Sequence, residues 1–186
     1  MQAGVRAPAQ NPQAMIVLGI DPGLANTGYG VIERRGSSLL ALDGGVIETA
    51  SAIARELRLA AIHAELQRLI DEHAPDAVAL EELYFGQNVR TAFAVGHARG
   101  VAMLAAGQRD VPCAGYTPQQ VKGAVCGNGR ASKEQVSRMV TALLGLEREP
   151  RADHAADALA VAICHANCAP LSQALARAGE GARAEA

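Results

Sequence analysis

Apolar and polar residues alternate between two periods along this chain, and the switches mark its elements. Met15-Ile-Val-Leu-Gly-Ile20 is a short apolar run of strand length, closed by Asp21-Pro22-Gly23, a turn signal. Tyr29–Glu33 and Leu39–Glu48 read as two further strands, and the short Gly-containing connections predict an antiparallel meander. From Ser51 to His73 the apolar positions move to helical spacing (Ile53, Leu57, Ala60/Ala61, Ala64, Leu66, Leu69/Ile70), with Ser51 as a plausible cap. Pro75-Asp76 ends that helix. Ala77-Val-Ala-Leu80 is apolar throughout, as suits a parallel strand covered on both faces.

Beyond it the spacing predicts a helix from about Val89 to Gly107 and a short strand at Val111–Gly115. Thr117-Pro118 is a strong helix start, and Ser132-Lys-Glu-Gln135 resembles a capping box that opens another helix to about Leu144. A last helix is expected from Asp153 to about Asn167. The order is mixed α/β, with helices packed on a central sheet. Residues 1–14 read as a disordered extension, 15–168 as one domain and 169–186 as a flexible tail.

Composition changes this picture only in places. A length of 186 residues fits one domain, and 49% hydrophobic with 19% charged residues reads as globular. No apolar run approaches the ~20 residues of a membrane span. With no secretory signal, Cys113, Cys126, Cys164 and Cys168 read as reduced, in a cytoplasmic protein. Cys164-His165-Ala-Asn-Cys168 has no matching second pair and reads as buried helix cysteines rather than a zinc site. The net charge of −2 conceals an asymmetry. From Leu83 to Lys133 the only acid is Asp110, against Arg90, Arg99, Arg109, Lys122, Arg130 and Lys133. That stretch carries +5 and the remainder −7. It is either a phosphate-binding face or a solvated helix surface.

The chemistry lies in the acids. Asp21 and Glu81 each close an apolar strand, and the intervening helix lets the two strands lie parallel with both carboxylates at one edge. His154 and Asp157 share a helix face at i and i+3. Asp153, at i and i+4 with Asp157, competes as a candidate but also suits an N-cap. Glu82 faces the opposite way from Glu81 and can be a solvated neighbour. Converging carboxylates repel unless a cation neutralises them, so the set points to a divalent-metal site and phosphate chemistry.

Five segments in register carry a family resemblance: Ile16–Gly30, Ala79–Phe85, His97–Ala102, Gln120-Val-Lys122 and His154–Ala160. Together they resemble the bacterial Holliday junction resolvases of the RuvC family, from Met15 to about His165. The resemblance implies an RNase H-like fold: a mixed sheet of three antiparallel strands plus parallel strands, flanked by helices. It implies a homodimer that nicks four-way DNA junctions symmetrically in recombination and repair, with RuvA and RuvB as branch-migration partners. Asp21, Glu81, His154 and Asp157 fall on the family's metal-binding catalytic positions. Lys122 and Lys133 match basic positions associated with DNA phosphates, and Arg90 and Arg130 of the basic stretch are grouped with them. Tyr84 falls where an aromatic ring stacks on an unpaired base at the crossover. Two Mg²⁺ or Mn²⁺ ions roughly 4 Å apart would serve an in-line hydrolysis that leaves 5′-phosphate and 3′-hydroxyl ends.

Three other readings meet obstacles in the sequence. Actin-like ATPases and sugar kinases duplicate the domain, and there is no internal repeat here. RNase H-like nucleases of RNA processing leave Gln120-Val-Lys122 and the Tyr84 segment unexplained. A non-catalytic junction binder gains nothing from acids beside phosphates.

Overall fold

The computed structural model describes residues 14–82 and 89–184, with the side chains of 89–91 and 170–184 excepted. Tyr84 and the side chain of Arg90 therefore lie outside the described residues.

The element order follows the hydrophobic periods: β1 (Met15–Asp21), β2 (Asn26–Arg35), β3 (Ser38–Glu48), α1 (Arg55–His73), β4 (Ala77–Glu81), α2 (Val89–Gly107), β5 (Cys113–Tyr116), α3 (Pro118–Cys126), α4 (Lys133–Leu143) and α5 (Asp153–Ala184). The sheet order is β3-β2-β1-β4-β5. β1, β2 and β3 pair antiparallel as a meander, while β4 and β5 continue the sheet in parallel from β1. This is the mixed, helix-flanked sheet of the RNase H-like expectation.

Side-chain alternation along β1 and β2 divides the core into two layers. Leu18, Ile20 and Val31 join Ile62, Leu66 and Leu69 of α1 and Ala102 and Ala105 of α2 on one face. Val17 and Ile32 join α3, α4 and α5 on the other, through Val121, Val125, Val136, Val140 and Ile163.

Two helix starts follow the local chemistry. Thr117 and Ser132 each accept from the backbone N–H three residues on, and Gln120 and Gln135 reach back to complete capping boxes. The strands β2 and β5 shift by a few residues from the sequence analysis, and two helix boundaries differ more. α1 begins at Arg55 after Ala54, which makes no side-chain cap, so Ser51 is not its cap. The burial of Ile62, Leu66 and Leu69 in the core sets the helix, and the cap is dispensable.

The last helix does not end near Asn167 but runs to Ala184, through Pro170. A proline within a helix leaves the carbonyl four residues earlier without its donor. Here that carbonyl is Ala166's, and the Arg34 guanidinium on β2 donates to it. A side chain from the sheet replaces the missing backbone donor, and the Ala-rich sequence carries the helix onward.

Candidate active site

β1 and β4 lie side by side, with Ile20 opposite Leu80 in parallel register, so Asp21 and Glu81 leave the sheet at one edge. The chain after Asp21 is held in place. Thr27 Oγ1 donates to the Gly23 carbonyl at 2.6 Å, and Thr49 Oγ1 donates to the Leu24 carbonyl at 2.5 Å. Arg58 of α1 donates to the same Leu24 carbonyl at 3.2 Å.

α5 brings the second half of the site. It lies so close to the sheet that a Cβ on Gly28 would be 2.0 Å from the His154 carbonyl oxygen. A Cβ on Gly19 would be 2.1 Å from the Ala158 oxygen, and one on Gly30 would be 2.6 Å from Leu159 Cδ2. Three glycines thus form a bed for the first turns of the helix that carries His154 and Asp157. Sequence reasoning missed this bed. Its signal was present: Gly28 and Gly30 sit at alternate positions of a strand, where glycine is disfavoured, and α5 offers Ala155, Ala158 and Ala162 at helical spacing.

The result is a cluster in which one ligand atom from each of Asp21, His154 and Asp157 lies within 4.8 Å of the others. His154 Nδ1 and Asp21 Oδ2 are hydrogen-bonded at 2.7 Å. Glu81 lies beside these three rather than among them, and it feels their charge. Burial, reinforced by Asp21 and Asp157, pushes its carboxyl up to about 7, against the pull of Lys122 and Lys133. Burial also raises Asp157, against the hydrogen bond from Lys133.

Lys122 and Lys133 share a cleft with Glu81 and Asp157, floored by Val121, Val136, Ala160 and Val161. Lys133 Nζ is 3.2 Å from Asp157 Oδ2 and 3.2 Å from Asp153 Oδ2. Asp153 is the first residue of α5 and lies outside the three-residue cluster. Arg130 is exposed in the loop before α4. The basic stretch is not one continuous face. Arg109 makes a two-pronged pair with Asp71 of α1 at 2.7 and 2.9 Å, which leaves its charge largely compensated.

Acids with raised carboxyl pKa values, crowded beside an imidazole, are strained without a counter-charge. Their donor set of carboxylate oxygens and one ring nitrogen fits a divalent cation.

The chain is similar to known proteins. Residues 17–165 match the family model described as crossover junction endodeoxyribonuclease RuvC. A protein of that description from Alkaliphilus oremlandii is 54% identical over 153 residues, 82% of this chain and 93% of the relative. One from Moorella thermoacetica is 54% identical over 159 residues, 86% of this chain and 95% of the relative. The solved structure of T. thermophilus RuvC in complex with Holliday junction substrate is similar at a TM-score of 0.82 and 40% identity. It covers 85% of this chain and 96% of its own.

Proposed function

The chain belongs to the RuvC family of crossover junction endodeoxyribonucleases, and from that premise we propose that it resolves four-way DNA junctions by metal-dependent phosphodiester hydrolysis. The observation that carries the mechanism is the convergence of Asp21, His154 and Asp157, with Glu81 beside them. These four residues would hold Mg²⁺ or Mn²⁺, with room in the donor set for two ions. A divalent cation there supplies the electrophile that polarises a phosphodiester and favours ionisation of water. The chain's own residues hold the acids at one edge, keep Glu81 poorly solvated, and place Lys122 and Lys133 beside them. Hydrolysis would leave 5′-phosphate and 3′-hydroxyl ends.

Lys122, Lys133, Arg130 and Arg90 would bind backbone phosphates, with an affinity that falls as salt rises. Tyr84, three residues past Glu81, would stack on an unpaired base at the crossover.

Symmetric cutting needs two copies. Helix α2 offers a face for this: Phe93, His97, Gly100 and Leu104 recur at i, i+4, i+7 and i+11, all exposed. Phe93 is 65% and Leu104 53% exposed, and among the described residues nothing lies within 4 Å of the Cβ position on Gly100. Such a stripe lets a second α2 approach closely about a two-fold axis. Docking to RuvA and RuvB and a cytoplasmic location follow from the family reading. No helix among the described residues is long and apolar enough to cross a membrane.

The test is a synthetic four-way junction incubated with and without Mg²⁺ or Mn²⁺. The native chain should nick opposing strands only with metal. Asp21→Asn should lose cleavage and keep junction binding in a gel shift. Loss of both would give Asp21 a structural role instead. His154→Asp should stay active and shift preference from Mn²⁺ toward Mg²⁺, because oxygen donors suit Mg²⁺ better than imidazole does.

A further inference from the structure

The two bonds of Lys133 lead in different directions. One goes to Asp157, a member of the acidic cluster. The other goes to Asp153, one turn earlier on the same helix, whose side chain is 78% exposed. Both are 3.2 Å from the same ammonium. Asp157 Oδ2 cannot serve Lys133 and a divalent cation equally. A cation that takes up the Asp157 carboxylate cancels the charge that attracts Lys133 and repels the ammonium as well. Without another anchor, Lys133 would be driven from the cleft, or would compete with the cation for Asp157.

We propose that Asp153 is a positioning residue, which holds Lys133 beside the cluster when Asp157 turns to the cation. Asp153 is not a metal ligand in this account. It frees Asp157 by taking the ammonium, and it keeps that positive charge in the cleft shared with Lys122 and Glu81. The inference rests on the nuclease reading for its consequence in cleavage, while its ionic part rests on the Lys133 geometry and on a cation at Asp157.

The test is a four-protein cycle: the native chain, Asp153→Asn, Lys133→Met and the double variant. Mn²⁺ binding is measured by calorimetry without DNA. Asp153→Asn should weaken Mn²⁺ binding about three- to fivefold in the native background, because Lys133 then competes undivided for Asp157. In the Lys133→Met background the same change should cost less than about twofold. Equal losses in both backgrounds would make Asp153 a ligand and overturn the proposal. No loss in either would make it a solvent-facing acid and overturn it as well.

In single-turnover cleavage, Asp153→Asn should lower the rate about tenfold at unchanged junction affinity. Asp153→Glu should restore most of that rate. A loss that appears in affinity rather than rate would overturn the positioning role. If the Mn²⁺ cycle behaves as expected and the native chain cuts no junction, the nuclease reading fails and the ionic exchange survives.

Discussion

On the α5 side of the sheet, Gly19 and Gly28 meet helix backbone, and Gly30 meets Leu159, at distances that exclude a methyl group. On the α1–α2 side, Leu18, Ile20 and Val31 meet Ile62, Leu66 and Leu69 through interdigitated side chains. The first contact fixes a helix, at Gly19 and Gly28, by contact between main chains, where there is no rotamer to adjust. The second fixes it by volume, which a core can redistribute in part. The side that carries His154 and Asp157 is the one that cannot adjust. Tolerance to substitution should therefore differ sharply between the faces.

The largest effect is expected at Gly28. Gly28→Ala places a Cβ where the His154 oxygen lies, so α5 must lift by more than an ångström. Cleavage per folded molecule should fall at least ~100-fold, since a misplacement of that size costs about this much. Leu66→Ala, on the fully buried face of α1, should cost about 2–5 kcal/mol of stability in denaturant titration. Its cleavage rate per folded molecule should stay within about threefold. A Leu66→Ala enzyme as crippled as Gly28→Ala would erase the distinction between the faces.

A smaller effect should come from pH, and it is confined to the α5 side. Glu81 keeps its proton up to about 7, because burial and the charges of Asp21 and Asp157 oppose ionisation. A cation that uses Glu81 must displace that proton. Mn²⁺ affinity, read by titration without DNA, should be steady above about pH 8 and fall up to tenfold per unit below 7. An affinity flat from pH 5.5 to 8 would leave Glu81 out of the ligand set.

The smallest effect concerns the metal-free protein. A carboxyl raised on folding favours the fold while protonated, and that advantage is lost progressively as pH rises from about 4.5, its ordinary value, to about 7. Glu81→Gln removes the ionised form. At pH 8 in a chelator it should raise stability by about 1–2 kcal/mol, below the full equivalent of the shift because the group is partly solvated. At pH 4, below the ordinary carboxyl value, the gain should be nearly gone. A gain of the same size at pH 4 would come from packing and not from charge.

Much of this arrangement was legible in the residues. Strand ends at Asp21 and Glu81 could be read because each apolar run stops at an acid, and the parallel register of β1 with β4 follows from the helix between them. His154 and Asp157 could be placed on one face by spacing alone. The capping boxes at Thr117 and Ser132 act within four residues, which makes them visible in a string. The glycine bed left a signal in the alternate strand glycines, but what they pack against could not be read, since it is a helix more than 120 positions away. Lys133 was placed near DNA by resemblance, but its bonds to Asp153 and Asp157 join two helices and have no local signature. The run of α5 past Asn167 was hidden for the same reason, because the donor that rescues it sits on β2.

That donor, Arg34, gives the end of the domain a mechanical property. From Asn167 to Ala184 the helix is roughly 27 Å long at 1.5 Å per residue. A rod of that length turns a small force at its tip into a large torque at its base. The base is where Pro170 has removed a rung, and Arg34 spans the gap from a strand paired on both sides. Bending of the rod would thus load a sheet strand before it reached the turns that carry His154 and Asp157. Displacement at the far end of this helix is kept from the turns that hold the cutting centre in register.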